Sequence, residues 1–321
     1  MFRLINALAC AALVSVATQA QAVYPDKPIR MIVPLAAGSA VDNAARVLAE
    51  KMASNMGASI VVENQPGASG QIGAARVARS APDGYTIGGF NDSIMTMLPN
   101  IRNDLPWNIL KDFKPVSLVA TVEWGLVASL NSPYKSAADV IKAAKVAPGK
   151  IDYGSGGVGS PQHIAMALFA SDAGINMRHV PYKGASQAAI GIAGNEVPLG
   201  FQGLATVTAL VNGGKLRLIG VTTAERRSQY PDVPTVSESG LKNFLFNSWF
   251  TIVAPAGTPK AIVDRLNAEV VKALKDPNVI KRYADYGLTP RGSSPEELGA
   301  QTRTQLDRYH KLIKDAGITA N

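Results

Sequence analysis

Short apolar runs and amphipathic stretches alternate along this chain. Ile29, Met31, Ile32 and Val33 make 29–34 a short apolar strand. Over 41–56 the apolar residues recur at helical spacing (Val41, Ala44, Ala45, Leu48, Met52), with polar residues opposite, and Gly57 follows as a stop. The β-branched stretch 59–63 predicts a strand, 71–80 a short helix, and 85–90 another strand after the turn Pro82-Asp83-Gly84. Asn91-Asp92-Ser93 then reads as a helix cap before Ile94-Met95. A longer strand-like stretch, 115–127, is interrupted by Glu123 and Trp124.

From about 129 the pattern restarts. Ser136 caps a helix over 136–147, a strand covers 151–154, and a Gly-rich loop, 155–160, opens a helix over 161–173. Pro161 suits that helix's first position, where a missing N–H costs nothing. Strands at 178–181, 196–201 and 216–222 alternate with helices at 187–193 and 205–212. Beyond Pro231-Asp232-Val233-Pro234 the chain runs through Trp249 into a strand at 250–253, then into amphipathic helices at 262–276 and 295–316. The alternation predicts an α/β fold of two lobes, each a largely parallel sheet flanked by helices. Lobe one takes 23–122 and 250–321, and lobe two takes 123–249. The two crossing segments, near 118–127 and 248–254, form a hinge.

The first 22 residues read as a signal peptide. Arg3 supplies the positive charge, 4–17 the apolar region, and Ala20-Gln21-Ala22 the small-x-small cleavage site. Cleavage after Ala22 sends the chain to the periplasm and removes Cys10, its one cysteine. A lipoprotein site at Ala7-Leu8-Ala9-Cys10 would leave too short an apolar region. Without cysteine there is no disulfide and no thiolate nucleophile. Lys and Arg number 32 against 24 Asp and Glu, a net charge of +8 with no dense basic run. That balance reads as a solvated surface, not a nucleic-acid patch, and favours encounter with anionic solutes.

Two loops carry the candidate chemistry. Residues 34–40 lead into the helix at Val41-Asp42, and residues 154–160 lead into the helix at Pro161. Small side chains leave backbone N–H groups open, and the helix N-terminus adds partial positive charge. Facing each other at strand carboxyl ends, the two loops would hold the two ends of a dianion. Gly154, Gly156 and Gly159 also match G-x-G-x-x-G, but the next strand, Arg178-His179-Val180, lacks the acid that would hold a ribose. Gly159-Ser160-Pro161 does not fit a nucleophile elbow. His163, His179 and His310 have no metal-ligand partner at helical spacing, so no metal site is expected. His163 either donates to a ligand or braces its loop. His179 reads as a strand residue and His310 as an exposed helix residue. Asp42 either caps and fixes its loop or binds a ligand donor, and Asn91, Asp92 and Ser93 pose the same choice. Trp249 either lines the cleft or fills the hinge core. No paired carboxylates and no Ser/His/Asp set are legible, so no cofactor and no catalysis are expected.

Longer motifs carry a resemblance. They include Tyr24-Pro25-x-Lys27-Pro28-Ile29-Arg30, Val33-Pro34-x-Ala36-Ala37-Gly38 with Asp42 and Arg46, and Glu63-Asn64-x-Pro66-Gly67-Ala68. Ala81-Pro82-Asp83-Gly84-Tyr85-Thr86, His179-Val180-Pro181-Tyr182-Lys183-Gly184, Pro231-Asp232-Val233-Pro234-Thr235 and Ala254-Pro255-Ala256-Gly257-Thr258-Pro259 continue it. The chain resembles the Bug family of periplasmic receptors, the solute-binding components of tripartite tricarboxylate transporters. The resemblance implies a two-lobed periplasmic-binding-protein fold that closes on its ligand. It implies a small carboxylate, held partly through water and by the amides of Ala37, Gly38, Ser39 and Ala40. From the other lobe it implies Gly159, Ser160 and His163, with a helix N-terminus near Gln202 and Gly203. Together with Asp42, Asn91 and Ser93 these form the expected ligand-binding set. Ser39 stands where relatives usually carry glycine. The expected ligand is a di- or tricarboxylate, an aromatic dicarboxylate or an acidic amino acid. The expected partners are the membrane permease subunits, with the receptor itself a monomer. A binding protein that signals to a two-component kinase, and an exported hydrolase, are the alternative readings.

Overall fold

A computed structural model describes residues 24–315. The expected signal peptide and its cleavage site lie outside the described residues. The first sheet is built around β1 (Ile29–Val33), whose apolar side chains are fully buried. β2 (Ile60–Asn64) and β3 (Thr86–Asn91) flank β1, both parallel to it. β9 (Asn247–Pro255) lies antiparallel on β3, and β4 (Phe113–Ser129) lies antiparallel on β9.

β4 is 17 residues long and belongs to two groups of partners. From Phe113 to Glu123 it pairs with β9, and β10 (Leu288–Pro290) pairs along its other edge. From Trp124 onward it pairs with β7 (Leu199–Gly203) and β8 (Leu216–Val221). β5 (Asp152–Ser155) and β6 (Arg178–Pro181) form a separate parallel pair. The expectation of largely parallel sheets therefore needs correcting to mixed ones. β1–β2, β1–β3 and β5–β6 are parallel, whereas every pairing made by β4 and β9 is antiparallel. These are the two crossing strands. One carries the chain out and the other brings it back, so side by side they must run in opposite directions.

Glu123 and Trp124, which interrupt the apolar pattern of 115–127, are accommodated within β4. Trp124 Nε1 donates to Ser248 Oγ at 2.8 Å. Thr289 Oγ1 donates to Glu123 Oε1 at 3.1 Å, and Arg227 Nε lies 2.8 Å from Oε2, an ion pair that is off the hydrogen-bond line. Burial is the larger influence on Glu123 and raises its carboxyl above the usual range, against the opposing pull of Arg227.

The helices follow local rules. α1 (Ala40–Met56) begins at the cap Ser39 and ends at Gly57, which takes φ 64°. α2 is Gln71–Ala78, and a π-helical turn, Ser93–Met97, leads into α3 (Leu98–Ile101). α4 (Ala137–Val146) is capped by Ser136 and α5 (Pro161–Ala173) by Ser160. α6 (Ala185–Ala193) and α7 (Leu204–Asn212) start at Gly184 and Gly203. α8 (Lys260–Leu274), α9 (Pro277–Asp285) and α10 (Pro295–Asp315) return to the first sheet, where α8 packs on α1 and β4 and α10 on β4. α9 and β10 were not legible in the sequence. Asp276, read there as the end of a helix, is the cap of the next one and accepts from the Asn278 N–H at 2.9 Å. Tyr283 of α9 is fully buried and donates to the Ala44 carbonyl of α1 at 2.9 Å. Among the described residues no helix is long and apolar enough to cross a membrane.

Candidate functional site

A narrow cleft lies between the β1–α1 loop on one side and the N-terminal ends of α5, α6 and α7 on the other. Four helices turn their first residues to it: α1 through Ser39 and Ala40, α5 through Ser160 and Pro161, α6 through Gly184 and Ala185, and α7 through Gly203. Ser39 and Ser160 cap their own helices, each hydroxyl accepting from the N–H three residues on, at 3.3 and 3.4 Å. Gly184 and Gly203 have no side chain to offer, so α6 and α7 begin without a side-chain cap. Their first-turn N–H groups and their partial positive charge are left to whatever fills the cleft. Among the described residues no Asp or Glu lines the cleft, and Lys183 is the one charged residue that does. Such a site favours an anion.

Of the expected residues, Ser39, Ala40, Asn91, Ser93, Ser160 and Gly203 come together on the cleft wall. Ala37, Gly38, Asp42, Gly159, His163 and Gln202 do not line it. Ala37 and Gly38 are on the exposed outer side of the loop, and the Gly38 N–H donates to Asp42 Oδ2 at 2.8 Å. Asp42 is only 2 % exposed and acts as the brace of this loop. It also accepts from Asn64 Nδ2 at 2.9 Å and from Arg46 Nε at 3.1 Å.

Gly159 and His163 brace the second loop. The Gly159 N–H donates to His163 Nδ1 at 3.2 Å. The His163 ring stacks on His179 at 4.2 Å, and His179 stacks on Tyr153 at 5.0 Å. Burial lowers both histidines to about 4, and for His179 the neighbouring His163 adds to the effect. Both rings are therefore neutral near pH 7, which leaves Nδ1 of His163 free to accept. His179 is held in its strand by Ser155 Oγ, 2.5 Å from Nε2. His310 is exposed and lies 3.2 Å from Asn100 Oδ1.

Gln202 is fully buried behind the wall. Its Oε1 accepts from Nε2 of Gln162, a cleft residue, at 3.3 Å. Asn91 Oδ1 accepts from the Ile94 N–H at 3.2 Å, and Asp92 Oδ1 from the Ser93 N–H at 3.0 Å, so both also act as caps. Burial pushes the Asp92 carboxyl well above the usual carboxylate range. Trp249 fills core beside Phe90 and Phe113, away from the cleft.

The cleft is drawn shut by hydrogen bonds across it. Ser69 Oγ donates to the Val158 carbonyl at 2.6 Å, Ser93 Oγ to the Gly159 carbonyl at 2.7 Å, and Ser186 Oγ to the Ala37 carbonyl at 2.7 Å. On the α7 side, the Ala40 N–H donates to Thr206 Oγ1 at 2.9 Å and Asn43 Nδ2 to the Ala205 carbonyl at 2.7 Å. Sequence reasoning missed Ser69, Trp124, Gln162, Lys183, Thr206 and Ser248 on the wall. A signal existed for two of them: Trp124 interrupts a strand, and Lys183 lies in a motif already singled out.

Similarity to known proteins follows the same lines. The family model described as tripartite tricarboxylate transporter family receptor matches residues 44–318. The chain is 31% identical to BugT of Bordetella pertussis, over 92% of this chain and 90% of that one. It is similar to Rpa4515 of R. palustris, solved with adipate, with 31% identity, a TM-score of 0.89 and coverage of 92% and 99%. It is also similar to MatC of Rhodopseudomonas palustris, solved with bound malate, with 28% identity, a TM-score of 0.85 and coverage of 90% and 100%. The architecture of the chain is the two-lobed periplasmic-binding-protein fold.

Proposed function

The chain belongs to the tripartite tricarboxylate transporter receptor family, and on that premise we propose that it captures a small carboxylate in the periplasm and delivers it to the membrane permease subunits of such a transporter. It is exported by residues 1–22, is cleaved after Ala22, works as a monomer and catalyses nothing. Its lobes are 23–122 with 250–321, and 123–249, and β4 and β9 are the hinge between them.

One observation carries the reading: four helix N-termini face a cleft that, among the described residues, has no acidic side chain on its wall. Backbone N–H groups and helix dipoles recognise a carboxylate without needing a matched arginine. The ligands carried by the two solved relatives, adipate and malate, are both dicarboxylates. The residues that hold the ligand are Ser39, Ala40, Asn91, Ser93, Ser160 and Gly203. Asp42, Gly159 and His163 act one step away by holding the loops in shape.

Thermal-shift titration of the mature chain against a panel of di- and tricarboxylates, aromatic dicarboxylates and acidic amino acids tests the proposal. A ligand at about 100 times its Kd adds about 2.7 kcal/mol of stability. At least one acid should raise Tm in a concentration-dependent way. A panel without any shift, together with no acid copurifying with the protein, would reject the reading.

A further inference from the structure

The ribbon of β4 and β9 has two faces. Val122, Trp124 and Ser248 turn to the cleft. Glu123, between Val122 and Trp124, turns to the opposite side, as alternation along a strand requires. It is 5 % exposed. Its N–H donates to the Gly287 carbonyl at 3.1 Å, and its Oε1 accepts from Thr289 of β10. Its Oε2 meets Arg227, which comes from the segment after β8.

That segment is a braced arm. Arg226 Nε lies 3.1 Å from both carboxylate oxygens of Glu238, and its Nη1 donates to the Pro231 carbonyl at 3.2 Å. The Thr235 N–H donates to Glu238 Oε2 at 2.7 Å, and the Val236 N–H to the Val221 carbonyl at 2.8 Å. The Pro231–Thr235 motif is thereby fixed to the end of β8, and the arm presents Arg227 to β4 and Gln229 to α9. Gln229 Nε2 donates to the Ala284 carbonyl at 2.7 Å. In the same seam Gly287 lies against α7, where a Cβ on it would come within 2.9 Å of Leu204 Cβ. The arm and α7 belong to the second lobe, α9 and β10 to the first.

We infer that this arm is a strut behind the hinge, and that Arg227 and Gln229 are positioning residues for ligand capture. This rests on the reading of the chain as a receptor that closes on its ligand. The strut contacts stand in the same arrangement as the serine hydrogen bonds that draw the cleft shut. Swinging the second lobe away about β4 and β9 carries the arm with it, so Gln229 leaves Ala284 and Arg227 leaves Glu123. Losing Arg227 leaves a buried carboxylate with less compensation, which opposes opening. Contacts made only in the closed state shift the population toward it and raise ligand affinity. They do so here although neither side chain lines the cleft.

Titration calorimetry of the mature chain with malate and adipate, and small-angle scattering without ligand, test this. Gln229→Ala removes one hydrogen bond at an exposed position and should weaken binding about fivefold. Glu123→Gln combined with Arg227→Met removes both charges together and should weaken it about tenfold. Both variants should show a larger radius of gyration than wild type, with the circular dichroism spectrum unchanged. Arg227→Lys keeps the charge and should keep most of the affinity. An unchanged radius in both variants would overturn the inference, and so would unchanged or tighter binding, while the receptor reading would stand. Scattering needs no ligand, so expanded variants of a wild type that binds neither acid would support the strut and count against the carboxylate reading.

Discussion

Ser93 Oγ donates to the Gly159 carbonyl at 2.7 Å, and this one contact ties the turn after β3 to the loop that starts α5. Both groups come from loops that the sequence marks as candidate sites. They meet as parts of a latch across the cleft. Short serine side chains therefore hold the two sides of the cleft together.

Ser93→Ala removes the donor and leaves a buried carbonyl unpaired. The net cost is about 1 kcal/mol, or about fivefold in affinity, because it falls on the closed state. Calorimetry should show weaker binding. Small-angle scattering should show a larger radius of gyration for the unliganded variant than for wild type. Unchanged affinity and radius would mean that the latch is incidental.

Gly159→Val should abolish binding and leave the fold intact. Gly159 sits at φ 75°, where a side chain costs about 1–2 kcal/mol. A Cβ there would also come within 2.9 Å of Leu98 Cδ2, across the cleft, so closure itself is obstructed. Gly38→Val has the same φ but meets Ser186 Oγ only at 3.4 Å, so its effect should be smaller. Circular dichroism with a binding assay checks both, and retained affinity in Gly159→Val would count against the site.

Asp42→Ala takes the acceptor from three donors, on Gly38, Asn64 and Arg46. Arg46 is half exposed, so its share is reduced by solvent screening. The remaining bonds to a buried carboxylate amount to about 2–3 kcal/mol. Urea denaturation should show a loss of that order, with weaker ligand binding because the loop carrying Ser39 and Ala40 relaxes. A loss below about 0.5 kcal/mol would show that Asp42 is not the brace.

Stability should fall as the medium is acidified through the range set by His163 and His179. Both sit near 4 in the folded chain, chiefly through burial, against an ordinary value of 6.5. Between about 6.5 and 4 the unfolded chain binds more protons than the folded one, so stability is full above that window and declines within it. Protonating His163 at Nδ1 would also release the Gly159 N–H. Melting temperatures measured from pH 7.5 to 4 should drop, and His163→Phe should flatten the slope. An equal slope in that variant would assign the acid sensitivity to other groups.

Much of the scaffold is legible locally. The caps Ser136 and Ser160, the stop at Gly57 and the proline at the start of α5 each act within one turn of helix, so a window of a few residues contains the cause. β1 reads as a strand because a short, mostly apolar run, interrupted only by Arg30, suits a largely buried strand. The candidate site was only half legible in the same way. Ser39 and Ser160 open helices, and any loop that does so offers N–H groups, but proximity to a ligand is not a local property.

The sequence by itself determined most of the order of strands and helices, α9 and β10 apart, and the two small-residue loops, because hydrophobic period, capping and turn chemistry are short-range. Tertiary structure decided that β4 and β9 run antiparallel, because only the return of the chain to its first sheet sets their direction. It also decided which residues meet. Trp124 and Ser248 are brought together by strand register, and Ser93 reaches Gly159 only when two loops separated by 66 residues face each other. The N–H groups of Gly38 and Gly159 are equally available in the sequence. In the fold Asp42 and His163 take them up, and the cleft is left to the uncapped starts of α6 and α7.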